Sequence, residues 1–244
     1  MTAIHFFYCS IFFMLGASVA SFLLVWATRL SNKKSSILKS SQCHFCQKKL
    51  ISRELIPVFS WLIQFGRCGC KERALPILYV LVEILLGGVF VLIFNLLPFV
   101  DAIFFMIFAS MLLFFLLTDY LHQLLHVYAM LSTLIIGIIY GFWINQNLTE
   151  SLLGAALGYF MMLIINTIYK LTKKRDGFGG GDKFLMAAIG AWVGTLKIFI
   201  LLFLASWIGA IFAIGLIVNK RADFLTKLPM GVFIVLATPF LYFF

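Results

Sequence analysis

Acidic side chains are the scarcest charged groups in this chain: nine Asp and Glu, against 19 Lys and Arg, in 244 residues. Charged residues of both signs amount to only 11%, while apolar residues reach 63%. With a mean hydropathy of +1.08, the chain is too apolar for a soluble fold and reads as a polytopic membrane protein. It carries no low-complexity tail. The first apolar run, Ile4 to Thr28, has no positive segment before it. It is also too long for the core of a signal peptide, so it is expected to remain as a span.

What the chain has in abundance is apolar runs. Eight are read as spans, at about 4–28, 75–97, 100–118, 127–144, 149–169, 184–196, 198–218 and 229–244. A helix needs about 20 apolar residues to cross, and shorter spans are tolerated inside protein. The sixth run is short, and parity supports it. The segment 184–218 must leave and return if its flanking basic loops share a side, and Gly194, Thr195 and Lys197 supply a turn. In that arrangement 18 of the 19 Lys and Arg fall on one face and only Lys197 lies opposite. The positive-inside rule makes the basic face cytoplasmic, with both termini outside. Topology and anionic membrane lipid therefore explain the net charge of +10 without nucleic acid. The expected fold class is an all-α polytopic membrane protein of about eight transmembrane helices with a small cysteine-containing cytoplasmic loop module.

Only the loop 29–74 has room for a soluble unit, and it is too small for a conventional core. It holds four of the five cysteines: Cys43, Cys46, Cys68 and Cys70. A reducing cytoplasm favours a metal over disulfides, and two thiolate pairs suit tetrahedral zinc. The second pair has a single intervening residue, which strains a shared chelate and makes His44 an alternative to one sulfur. The competing reading is reduced thiols with no metal. Cys9, in the first span, is read as a packing residue.

Polar groups inside the apolar runs are few. Glu83 lies about two turns into the second span, and a buried acid in a membrane marks function or a polar partner. Asn95 and Asn166 stand near span ends, where solvation accounts for them. Gly154-x-x-x-Gly158 and Gly190-x-x-x-Gly194 are expected to let helices pack closely.

The segment Gly177-Phe178-Gly179-Gly180-Gly181-Asp182 stands between basic residues at 170–175 and the apolar run from Phe184. Gly179, Gly180 and Gly181 remove side-chain bulk, so an extended substrate backbone can lie against them. The plainer reading is a flexible loop with an incidental acid. Asp119, which follows the apolar stretch Met111 to Thr118, changes the balance. The end of an odd span and the start of an even one share a membrane face, so Asp119 and Asp182 arrive on the same side. Asp182 at a helix N-terminus also has an ordinary stabilising role. Two carboxylates within hydrogen-bond reach, however, cannot both ionise easily. Sharing a proton, one accepts from water while the other donates to a carbonyl, with no metal and no covalent intermediate. Asp119 and Asp182 are the candidate catalytic pair.

With those residues in place, the chain resembles the type IV prepilin peptidases, the leader peptidases that process pilins and competence pseudopilins. The likeness covers nearly the whole chain. Gly16 through Arg29 is similar to the family's first span. Cys43-x-x-Cys46, Glu54 to Trp61 and Gly66-Arg67-Cys68 resemble its cytoplasmic cysteine box, and Val82-Glu83 its second-span signature. Asp119 to Leu125 resembles the segment with the first catalytic Asp, and Gly179 to Trp192 the GxGD segment. Three departures stand out. The second cysteine pair is Cys-x-Cys, His126 stands where proline is typical, and Lys183 directly follows the second Asp.

The resemblance implies two activities. One is removal of a short basic leader from a prepilin or pseudopilin, by cleavage after a Gly just before the apolar helix. The other is S-adenosylmethionine-dependent N-methylation of the new N-terminus, usually a Phe. The sequence has no Rossmann-type glycine fingerprint for that cofactor, so the second activity comes from the resemblance alone. The implied location is the bacterial cytoplasmic membrane, multi-pass, with the site on the cytoplasmic face. The implied parts are a first span (1–28), a cysteine-box module with zinc and a methyltransferase part (29–74), and a membrane peptidase domain with both aspartates (75–244). Three readings compete. A proton-coupled transporter or channel would use intramembrane acids as relays and would be favoured by internal inverted repeats, but the sequence shows no convincing repeat and a transporter has no need of the cysteine box. A presenilin-like GxGD intramembrane protease shares the second motif but leaves the cysteine loop unexplained. An inactive relative would serve as an assembly scaffold.

Overall fold

A computed structural model describes residues 3–30, 56–63, 66, 76–174, 179–219 and 229–243. Among the described residues all regular structure is helical. In chain order the helices are α1 (Ala3–Leu30), α2 (Phe59–Ile63), α3 (Leu78–Leu96), α4 (Phe99–His122), α5 (Val127–Trp143), α6 (Leu148–Lys173), α7 (Asp182–Val218) and α8 (Met230–Ala237). The last continues as a 3-10 turn over Thr238–Phe243. By length and composition α1, α3, α4, α6 and α7 are sufficient to cross a membrane, and α5 and α8 are shorter apolar helices. Helix is what long apolar runs must form in lipid, because the backbone finds no partner outside its own segment. The breaks follow local chemistry. Pro76 and Pro98 stand just ahead of α3 and α4, where a missing N–H leaves no gap in the helix ladder. Gln123 (φ 52°), Gln146 (φ 50°) and Lys174 (φ 53°) turn the chain through left-handed backbone as α4, α5 and α6 end.

The chain divides into two compact units, Met1–Phe114 and Phe115–Phe244. In the first, α1 packs on α3 through small residues. A Cβ on Gly16 would stand 2.8 Å from the Leu86 carbonyl oxygen, and one on Gly87 would stand 2.9 Å from the Phe13 ring. Ala17, Val58 and Val80 form a cluster with Phe13 and Trp61. Glu83, the acid expected to need a partner, is buried and accepts the Val58 N–H at 2.7 Å, with the Ser21 side chain as a second partner. The turn it holds is strained, since Val58 is β-branched and has φ 63°. Asn95 donates to the Val91 carbonyl of its own helix at 2.7 Å.

In the second unit α6 runs antiparallel to the first part of α7. The would-be Cβ of Gly154 meets the Gly190 carbonyl oxygen and the Gly194 backbone, and that of Gly158 meets the Met186 carbonyl. The two small-residue motifs thus face one another, so the backbones approach closely. Helix α5 packs on the same part of α7, where the Trp192 indole donates to the Thr133 carbonyl at 2.9 Å and stacks on Tyr140.

Helix α7 is not one rod. Gly194 has φ 79° and ψ −173°, outside helical geometry. A continuous helix would put Gly209 about 40 Å from Asp182 at 1.5 Å per residue. Yet Gly209 and Phe212 pack on Phe233, one residue from Val232, whose N–H reaches Asp119. Lys197, early in the second arm, donates to the Leu241 carbonyl at the far end of the α8 segment at 3.0 Å. Leu125 lies against both Gly181 and Gly231, so the two helix starts are neighbours. The arm 195–218 therefore returns toward the level from which the arm 182–193 departs. The turn expected at Gly194, Thr195 and Lys197 is found at Gly194.

Candidate active site

Asp119 lies in the last turn of α4 and Asp182 is the first residue of α7; each is only 5% exposed. A carboxylate so withdrawn from water needs donors, and each finds them on the backbone. Asp119 Oδ2 accepts the Val232 N–H at 2.9 Å, and the Gly231 N–H faces the same carboxyl group. These donors exist because α8 begins there: the first N–H groups of a helix have no partner inside it, and Pro229 at the cap position makes no side-chain capping hydrogen bond. Asp119 thus caps a helix 113 residues away from it in the chain, where the helix dipole also favours negative charge. Gly231 makes the approach possible. A Cβ there would stand 2.6 Å from Asp119 Oδ2 and 3.0 Å from its Cγ.

Asp182 is held by the glycine segment itself. Its Oδ2 accepts the Gly179 N–H at 2.9 Å, and its own N–H donates back to the Gly179 carbonyl at 3.1 Å. The Phe184 and Leu185 N–H groups both go to the Gly181 carbonyl, at 2.9 and 3.0 Å. The three glycines are not equivalent. Nothing lies within 4 Å of the side-chain position of Gly180, whereas that of Gly179 is 3.3 Å from Asp182 Oδ2 and that of Gly181 is 2.9 Å from Leu125 Cβ. Asp182 lies within range of the Asp119 charge. The structure therefore brings Asp119, Asp182, Gly179, Gly180 and Gly181 into one neighbourhood. Cys43, Cys46, Cys68 and Cys70, with His44, lie outside the described residues. Cys9 is half-buried in α1, with its sulfur 3.5 Å from His5 Nδ1.

Two departures from the family pattern find local explanations. Lys183 places its ammonium over the Tyr159 and Phe184 rings, at 5.7 and 5.3 Å, where cation–π attraction holds it. His126 precedes α5 with φ −82°, close to the roughly −65° that a proline would impose. Sequence reasoning missed Pro229, Gly231, Val232 and Leu125. A signal for the first three does exist. Proline followed by glycine at the start of an apolar run marks a helix N-terminus, and one whose donors need an acceptor from elsewhere.

Two family models match the chain: the Bacterial Peptidase A24 N-terminal domain over residues 14–97 and the Type IV leader peptidase family over residues 106–214. Asp119 and Asp182 fall within the second match, and α8 lies beyond it. Among curated proteins, the chain is 32% identical over 203 residues to a prepilin leader peptidase/N-methyltransferase of Dichelobacter nodosus, covering 82% of this chain and 70% of the relative. It is 30% identical over 206 residues to the protein of the same name in Pseudomonas putida, with the same coverage of 82% and 70%. It is 31% identical over 206 residues to a type 4 prepilin-like proteins leader peptide-processing enzyme of Escherichia coli O78:H11, covering 83% of this chain and 74% of the relative. No solved structure matches the chain.

Proposed function

The chain belongs to the type IV leader peptidase family, and from that premise we propose that it is a membrane aspartic endopeptidase. It removes the short basic leader from type IV prepilins or pseudopilins after a Gly, and it N-methylates the amine so released. The observation that carries the peptidase reading is the buried pair Asp119 and Asp182, both within the second unit and each held by backbone N–H donors. With one proton between them, the ionised carboxylate takes a proton from water, whose oxygen attacks the carbonyl carbon of the Gly. The protonated carboxyl donates to the carbonyl oxygen. The C–N bond of the tetrahedral intermediate then breaks, one carboxyl protonates the leaving nitrogen, and the hydroxyl proton returns to the other. One peptide and one water become one acid and one amine.

The finer features are part of the same reading. The runs 4–28, 75–97, 100–118, 127–144, 149–169, 184–196, 198–218 and 229–244 cross the membrane as eight spans, the reversal at Gly194 supporting the sixth and seventh. The basic face is cytoplasmic in a bacterial cell membrane and carries the site. The chain is organised as a first span (1–28), a cysteine module (29–74) and a peptidase domain (75–244). Thiolates of Cys43, Cys46, Cys68 and Cys70 would hold a structural zinc. S-adenosylmethionine is the methyl donor that the relatives' names imply, and no described side chain is assigned to it. The partners are prepilin or pseudopilin substrates and membrane lipid.

The test is incubation of a prepilin with membranes that contain the wild type, Asp119→Asn or Asp182→Asn, with Asp101→Asn as control. The wild type and the control shorten the substrate. Each dyad variant inserts and folds but loses at least about a hundredfold in rate, the scale of general acid–base catalysis. Near-normal cleavage by a folded Asp119→Asn protein would rule the mechanism out.

A further inference from the structure

Leu125 stands in the connection between α4 and α5, six positions beyond Asp119. Its side chain lies against the glycine that precedes Asp182: a Cβ on Gly181 would be 2.9 Å from Leu125 Cβ and 3.2 Å from its Cδ1. The same Cδ1 would be 3.4 Å from a Cβ on Gly231, the glycine that closes on Asp119. One methyl group therefore reaches the backbone supports of both carboxyl groups. It carries no proton and accepts none, so its contribution near the reacting atoms is to occupy space.

We propose that Leu125 is the residue that restricts the position before the scissile bond to glycine. The inference rests on the peptidase reading above. For hydrolysis the scissile carbonyl must lie within hydrogen-bond reach of the two acids. The Cα of the residue that owns this carbonyl is one bond, about 1.5 Å, from the reacting carbon. The residue after the cleavage point places its Cα one bond further away, beyond the nitrogen. A side chain on the first residue thus starts next to the carboxyl groups, where Gly181, Gly231 and the Leu125 side chain meet. Gly181 and Gly231 are already stripped to hydrogen and have nothing more to yield. Among the described residues Leu125 is a side chain that reaches both glycines, so it would crowd a substrate Cβ placed there. A substrate glycine brings no Cβ and passes.

The experiment compares two prepilins that differ only by Gly or Ala before the cleavage point, with wild-type, Leu125→Val and Leu125→Ala enzymes in membranes. The readout is the ratio of kcat/KM for the Ala substrate to that for the Gly substrate. Both rates come from the same preparation, so partial loss of folded protein cancels. Wild type strongly favours Gly. The ratio is expected to rise in Leu125→Val and further in Leu125→Ala, by about tenfold or more, equivalent to ~1.4 kcal/mol of discrimination. An unchanged ratio in variants that still cleave the Gly prepilin overturns the role of Leu125 and leaves the peptidase reading intact. Failure of the wild type to cleave either prepilin overturns both. Should Leu125→Ala fail to fold, the milder Leu125→Val decides by the same ratio.

Discussion

A methyl group on Gly231 would have to share space with the Asp119 carboxylate, since its carbon would lie 2.6 Å from Oδ2. Gly231→Ala should therefore push the acid off the α8 donors and lower prepilin cleavage by about tenfold or more, a barrier change of only ~1.4 kcal/mol. Insertion and solubility in detergent should be unaffected; full activity would show that the acid tolerates displacement. The glycine segment separates in the same way. Gly179→Val crowds Asp182 and Gly181→Val collides with Leu125, so both should cripple cleavage, whereas Gly180→Ala enters open space and should be tolerated. Equal activity in all three would reduce the segment to a tether. The aspartates were legible in the sequence because acids are so rare there that two at the ends of apolar runs stand out. Gly231 was not, because its role is a contact with a residue more than a hundred positions away, and no local pattern encodes that.

Helix boundaries depend on partners as well as on runs. The apolar stretch after Asp182 reads as two segments from its length and its Gly-Thr-x-Lys interruption. What stabilises the break became visible only in the fold. The arm that starts at Thr195 has a free N–H there, and Glu150 of α6 supplies the acceptor: its Oε2 takes the Thr195 N–H at 3.0 Å and the Thr195 hydroxyl at 2.6 Å. Gly194 adopts φ 79° and ψ −173°, a conformation essentially reserved for glycine. Gly194→Ala should cost about 1–3 kcal/mol, and Glu150→Ala should also lower stability, because the Thr195 N–H and hydroxyl lose their acceptor. Thermal unfolding in detergent measures both, at about 2–4 °C per kcal/mol for a chain of this size. Glu150→Gln, which keeps an acceptor oxygen, should recover part of the loss. An unchanged Tm in Gly194→Ala would mean that α7 runs straight there. The same logic applies to Glu83. Its burial in an apolar run signalled a partner, but the sequence does not say that the partner is the Val58 backbone.

At the scale of the whole molecule, the two carboxylates and the cysteine loop belong to different stretches of chain, and this separates what each can do. Charge distribution carries the expected sidedness of the membrane, because every crossing adds to one count. Cysteine spacing is what proposes the loop as a ligand set, and Cys-x-Cys leaves its geometry open. If zinc staples the loop, binding contributes much of the module's folding free energy, because 29–74 is too short to build a core of its own. Purified protein should then hold about one zinc per chain, as a single tetrahedral site requires. Cys43→Ser combined with Cys46→Ser should remove the metal, melt the loop and damage methylation of the new N-terminus. Cleavage should suffer less, because Asp119 and Asp182 take their hydrogen bonds from Gly179, Gly231 and Val232, all in the second unit. Elemental analysis of protein purified without a His-tag, beside both activity assays on the double variant, tests the separation. Metal-free protein with an ordered loop would rule out the staple. Equal loss of cleavage and methylation would mean that the loop and the aspartates form one site.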